Sequence, residues 1–288
     1  MSQADEIRHS SYTKAGRHSA IWHDGIGANS RLEIAEAPAR PFANGEFLLR
    51  EIAVHPKVHS GGKATILFFS DLHWDGWNRK IYVALADAIR GLNIDSILFG
   101  GDLGVYSDTI DGAINWLATL SASGGKFAVA GNRESCLNWL DNDFWRHAYS
   151  KAGFRFLCNE TADIGAATIC GIDDYRFGAP DWSVLDGVDR SRTVITFTHN
   201  PDVAASADAD VFIGDIVLCG HTHGGQICFP LIGPLYTSSE FGRQFLHGWK
   251  TRDDGTLCLV SSGVGESGFG FIRRRLRCPR EVVLLRME

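Results

Sequence analysis

Residues 64–73 read ATILFFSDLH: a near-continuous apolar run, then an aspartate and a histidine two positions apart. Such a run fits a strand covered on both faces. Strand side chains repeat with period two, so Asp71 and His73 leave its end on one face. Working outward, SILF at 96–99 runs into Gly100-Gly101-Asp102, and FAVA at 127–130 runs into Gly131-Asn132-Arg133-Glu134. Between these runs, Ile81, Leu85, Ile89 and Leu92 recur with helical spacing. Ser107 is a plausible helix cap, ahead of an apolar stripe at Ile110, Ile114, Leu117 and Leu120. Strand, loop and helix thus alternate three times, which implies parallel strands with helical crossovers.

The second half holds further strand candidates at 154–158, 167–171, 193–198, 211–219, 256–260 and 282–285, and FLLREIAV at 47–54 precedes the first motif. No internal repeat or low-complexity tract interrupts them. One α/β domain with two sheets is the economical architecture, spanning 46–288. Residues 1–45, rich in Ala, Ser, Gly and His, read as an N-terminal extension that packs loosely.

The 288 residues carry 28 basic and 34 acidic side chains, a net charge of −6. That balance argues against general nucleic-acid binding, and 44% hydrophobic residues suffice for a large core rather than disorder. No run of about 18 apolar residues crosses a membrane, and the first 30 residues show no secretory apolar stretch. Seven scattered cysteines without a CxxC pair suit reduced thiols. The expected location is cytoplasmic, with peripheral contact at the inner membrane as the other option.

The chemistry gathers at strand ends. Besides Asp71-Leu72-His73, Gly101-Asp102 and Gly131-Asn132, TVITF leads to His199-Asn200-Pro201-Asp202, and DIVLC leads to Gly220-His221-Thr222-His223-Gly224-Gly225. In parallel α/β sheets, ligands bind beyond the carboxyl ends of the strands. Each element alone has an ordinary explanation: a solvated loop, a turn, a helix cap, a core histidine. Together they supply Asp71, His73, Asp102, Asn132, His199, His221 and His223, oxygen and nitrogen donors suited to Mn, Fe, Zn or Mg.

In this order the motifs DLH, GD, GNRE, His199 and GHTH resemble the calcineurin-like metallophosphoesterase superfamily, from about Phe47 to the C-terminus. HNPD, GHTHGGQI, PLIGPL, VSSGVGESG and CPREVVLL are similar to a bacterial branch of membrane-associated phosphodiesterases and UDP-2,3-diacylglucosamine pyrophosphatases. The resemblance implies a four-layer αββα sandwich of two mixed sheets flanked by helices. It also implies two divalent metal ions, manganese first, with iron, zinc or magnesium as the other choices. Asp71, His73 and His223 would hold one, Asn132, His199 and His221 the other, and Asp102 would bridge. The implied activity is hydrolysis of a phosphodiester or pyrophosphate by a metal-activated hydroxide. The specific expectation is a UDP-2,3-diacylglucosamine-type lipid pyrophosphate. A nucleotide or cyclic-nucleotide phosphodiesterase and a non-catalytic scaffold are the alternatives. Asn132, Arg133 and His199 are the catalytic candidates.

One position departs from the family pattern: Arg133 stands where GNH would place a histidine acid. Arginine stays protonated, so it clamps phosphate rather than donating a proton; pairing with Glu134 or Asp75 is the structural explanation. Arg133, Trp74 and Trp77 are the candidate substrate contacts, the tryptophans weighed against plain cover over a sheet. The apolar stretch CFPLIGPLY at 228–236 suits a membrane or lipid contact or, at least as well, a loop packed on the core. The basic cluster of Arg273, Arg274, Arg275, Arg277 and Arg280 suits an anionic lipid surface less well than a solvated strand face. The partner implied is a small phosphorylated or lipid-linked substrate.

Overall fold

Alternation along 64–69 sets the layers. Ile66 and Phe68 join one apolar cluster, Leu67 and Phe69 another on the opposite face. The computed structural model describes residues 20–57, 62–76, 79–104, 106–137, 139–268 and 274–288. In chain order the strands are β1 (Trp22–Asp24), β2 (Leu32–Glu36), β3 (Arg40–Phe42), β4 (Phe47–Pro56), β5 (Ala64–Phe69), β6 (Ser96–Phe99), β7 (Gly125–Ala128), β8 (Arg155–Phe156) and β9 (Glu160–Asp163). They continue as β10 (Thr168–Gly171), β11 (Val194–Phe197), β12 (Ile216–Cys219), β13 (Cys228–Phe229), β14 (Gly233–Pro234), β15 (Gly248–Arg252), β16 (Leu257–Val260) and β17 (Arg280–Met287). The helices are α1 (Arg79–Arg90), α2 (Ile110–Leu117), α3 (Asn132–Ser135), α4 (Asn142–Lys151) and α5 (Asp202–Ala205).

Two mixed sheets result, ordered β2-β4-β17-β5-β6-β7-β8 and β1-β15-β16-β12-β11-β10-β9. As the strand–helix alternation implied, β5, β6, β7 and β8 are parallel. In the other sheet β10, β11, β12 and β16 are parallel. The chain returns at its end to insert β17 between β4 and β5, with Val283 and Leu285 facing the second sheet.

Between the sheets, Ile66, Phe68 and Leu98 meet Ile195, Phe197 and Ile216 in one apolar cluster. Outside the first sheet α1, α2 and α4 cover Leu67, Phe69 and Ile97. Outside the second sheet the cover is thinner: α5 and one-turn helices at Trp182–Leu185 and Gly242–Phe245. The architecture is the expected four-layer α/β sandwich, with unequal outer layers.

Two boundaries shift. The strand expected over 211–219 begins only at Ile216, and Ser107 opens a one-turn 3-10 segment that hands over to α2, whose cap is Thr109. A larger correction concerns the N-terminal stretch expected to pack loosely. Within its described part, β1 pairs antiparallel with β15 and β2 with β4. Trp22 packs edge-on against Phe245 at 5.3 Å. Glu36 accepts from Arg50 Nε at 2.6 Å and from Trp249 Nε1 at 2.7 Å, so one carboxylate ties both sheets together. Short polar edge strands such as WHD and LEIAE carry no apolar run, which is why composition alone suggested an arm.

Trp22→Ala is expected to cost about 3 kcal/mol through lost packing, and Glu36→Ala about 2 kcal/mol by stranding buried donors. Urea denaturation midpoints measure both; a loose arm would leave them unmoved.

Candidate metal centre

The carboxyl ends of β5, β6 and β7 point toward those of β11 and β12, and the seven expected donors meet there. After β5 and β6 the two chains keep pairing: Asp71 N–H donates to Gly101 O and His73 N–H to Asp102 O, both at 2.9 Å. Five of the donors, Asp71, His73, Asp102, His221 and His223, have φ between 44° and 71°. Left-handed backbone is uncommon outside glycine, and its concentration here marks a site held in a strained conformation by its surroundings.

The donors fall into two groups. In the first, His73 Nε2 lies 3.0 Å from His223 Nε2 and 3.3 Å from Asp102 Oδ2, and His223 Nε2 lies 3.5 Å from Asp71 Oδ1. In the second, His199 Nε2 lies 3.1 Å from Asn132 Oδ1, 3.0 Å from His221 Nδ1 and 3.5 Å from Asp102 Oδ1. Asp102 therefore turns one oxygen to each group. Asp71, His73 and His223, and separately Asp71, Asp102 and His199, bring ligand atoms within 4.8 Å of one another.

Electrostatics points the same way. Burial, with Glu134 and Asp71 nearby, raises the Asp102 carboxyl to about 7 against the pull of His199. Burial also raises Asp71. Burial depresses His199, but the Asp102, Asp71 and Asp174 carboxylates outweigh it and raise its pKa to about 9. His221 and His223 are driven well below the usual imidazole range by burial and by neighbouring positive charge. Buried carboxylates beside the imidazoles of His221 and His223, which burial keeps neutral, form a donor set that divalent cations satisfy. His199 Nδ1 donates to Gly100 O at 2.9 Å, which turns Nε2 toward the centre. His221 Nε2, by contrast, is buried without a partner.

Three residues outside the expected donor set hold this geometry. Glu134 is buried and accepts from the N–H groups of Gly131 (3.0 Å), Asp102 (3.1 Å) and Leu103 (2.8 Å), and from Tyr149 Oη (2.9 Å). It locks the Asp102 and Asn132 loops together. Gly131 has to be glycine, because a Cβ there would overlap the Asp102 backbone and carboxylate. Arg275 is half-buried, with its guanidinium beside His223: it donates to Ser262 O at 2.7 Å and lies 3.2 Å from His223 Nδ1. Nothing in the run RRRLRCPR distinguishes this arginine from its exposed neighbours, so sequence reasoning placed it on a surface. Arg280 likewise bonds to Glu266 at 2.6 Å, while Arg273 lies outside the described residues.

The proposed substrate contacts fare unevenly. Trp74 is 8% exposed and stacks on Tyr82 at 5.2 Å, so it is core cover and not a pocket wall. Trp77 lies outside the described residues. Arg133 donates from its backbone N–H to Asp102 Oδ1 at 2.8 Å. Among the described residues no carboxylate pairs with its guanidinium, and its Nε is buried without a partner. The side chain borders a small cleft of about 50 Å³ with Leu103, Tyr106, Ile110, Leu137 and Trp145.

A buried centre of carboxylates and imidazoles with an unpaired arginine beside it has the make-up of a metal-dependent phosphoester hydrolase. A family model described as calcineurin-like phosphoesterase matches residues 64–225, and the chain belongs to that family. An uncharacterized metallophosphoesterase from Aquifex aeolicus is 32% identical over 248 residues, covering 81% of this chain and 88% of that protein. One from Helicobacter pylori J99 is 30% identical over 241 residues, 77% of this chain but 59% of that longer protein. Phosphodiesterase YaeI from Escherichia coli K12 is 27% identical over 232 residues, 77% of this chain and 81% of that protein. Among the described residues no helix is long and apolar enough to cross a membrane.

Glu134→Ala and Arg275→Ala are each expected to weaken metal binding by about 10–100-fold, the usual effect of losing an outer partner of a ligand. Calorimetric titration of Mn into metal-stripped protein measures this, with circular dichroism to show that the fold persists.

Proposed function

We propose that this chain hydrolyses a phosphodiester or pyrophosphate bond at a centre of two divalent cations, manganese first among them. Asp71, His73 and His223 hold one cation, and Asn132, His199 and His221 hold the other. The observation that carries this reading is Asp102, whose two oxygens face the two donor groups separately. When bound, the cations supply Lewis-acid activation of a water and compensation for phosphoryl charge.

The protein's own groups do the rest. Asn132 contributes a neutral oxygen, which keeps the centre positive for an incoming anion. The unpaired Arg133 guanidinium stabilises the negative charge that builds on the phosphoryl oxygens. As a permanent cation it cannot protonate a leaving group. That favours substrates whose leaving group departs as a stable anion, as a pyrophosphate's does. The cleft beside Arg133 offers apolar walls for the remainder of such a molecule. The specific substrate we propose is a lipid-linked pyrophosphate of the UDP-2,3-diacylglucosamine type.

The test is hydrolysis of bis-p-nitrophenyl phosphate, UDP-2,3-diacylglucosamine and cyclic AMP, each with Mn and with chelator. Turnover is expected to require Mn, to vanish with chelator and to vanish in His221→Ala. Arg133→Ala is expected to lower turnover of the pyrophosphate about 100-fold, the scale for removing one charge-stabilising donor. Manganese-independent turnover, or full activity in His221→Ala, would sink the assignment.

A further inference from the structure

We propose that the β13–β14 hairpin and the arginines beside it form a docking surface for an anionic lipid bilayer. Five of the fourteen exposed large apolar side chains among the described residues fall within eight consecutive positions: Phe229, Leu231, Ile232, Leu235 and Tyr236. Apolar residues scattered singly need no explanation, but a contiguous exposed patch does. Leu231, at the tip, is fully exposed and has a left-handed backbone with φ of 66°, two features unfavourable for a leucine in water.

The hairpin is fixed in place. Cys228 N–H donates to Leu276 O at 3.0 Å, Leu276 N–H to Gln226 O at 2.9 Å and Leu235 N–H to Ile227 O at 3.1 Å. Arg243 Nη2 donates to Ile232 O at 2.8 Å. These bonds bring exposed Leu276 and its exposed neighbours Arg274 and Arg277 alongside the hairpin, with Arg243 at its base. Two acids close in sequence to these arginines are engaged elsewhere: Glu240 accepts from Tyr175 Oη and Glu266 pairs with Arg280. In a chain of net charge −6, this is a local reversal of sign around an apolar tip. An apolar wedge ringed by cations matches the acyl boundary and phosphate headgroups of an anionic bilayer, and no single one of these features would suffice.

The hairpin follows directly from the turn that carries His221 and His223, and Cys228 Sγ donates to Gly224 O at 3.3 Å. Docking there sets the bilayer surface beside the metal centre, where a lipid-linked phosphate would enter. That consequence rests on the function proposed above; the docking itself does not.

The experiment is co-sedimentation of the purified protein with phosphatidylcholine vesicles and with phosphatidylcholine–phosphatidylglycerol vesicles. Binding is expected to the anionic vesicles alone and to weaken with salt. A Leu231→Asp/Ile232→Asp variant and an Arg243→Glu/Arg277→Glu variant should each lose tenfold or more in vesicle affinity. Both should keep the wild-type melting temperature and turnover of soluble bis-p-nitrophenyl phosphate. Vesicle binding needs no turnover, so an inactive protein that still binds would leave docking standing and remove only the catalytic reading. Absence of binding to anionic vesicles, or equal binding by the hairpin variant, would overturn the proposal. So would a dimer in sedimentation velocity that the hairpin variant dissolves, because the patch would then belong to a second copy.

Discussion

Asp102 is the group on which the centre depends. It is buried among other carboxylates, which with burial raise its pKa to about 7, and it presents its two oxygens in different directions. Three constraints make this possible. The backbone at Asp102 adopts φ of 58°, Gly131 leaves room beside it, and Glu134 takes up its N–H. Glu134 is itself a carboxylate and pushes the Asp102 pKa up, so the support that fixes Asp102 also makes its bare charge costlier. A divalent cation held there would offset the repulsion among Asp71, Asp102 and Glu134.

The same logic explains why the site sits between two sheets. Asp71, Asp102 and Asn132 come from one sheet, His199, His221 and His223 from the other. Their separation is set by side chains beneath them, such as Phe68 and Leu98 against Phe197 and Leu218. A close-packed interior has little give. The apolar layer thereby fixes donor spacing to within the few tenths of an ångström that coordination requires.

The parallel strands and the donors were legible because each apolar run ends in a residue that a buried strand would not otherwise choose. ATILFFS stops at Asp71 and IVLC at Gly220-His221, and periodicity could find both. The edge strands could not be found that way: WHD and ETAD are half-exposed and borrow their conformation from a partner. Arg275 and Glu134 escaped for a different reason. Their importance lies in contacts made across long stretches of chain, Glu134 with Asp102 and Tyr149, Arg275 with Ser262 and Gly265. A charged residue in a polar run gives no local sign of such burial. Trp74 misled in the opposite sense: adjacency to the DLH motif suggested a pocket wall, yet the next residue along a strand end turns inward onto Tyr82.

Arg133 connects this geometry to the choice of reaction. Its backbone N–H anchors the Asp102 carboxylate while its Nε stays unpaired, and on the function proposed above the same residue then faces the substrate. A histidine there could shuttle a proton to an alkoxide leaving group. An arginine keeps its charge at every working pH, so it contributes attraction throughout the reaction and proton transfer at no stage. On the function proposed above, such a site suits leaving groups already stable as anions. Phosphate-linked leaving groups meet that condition, and the guanidinium's planar fork is shaped to grip them.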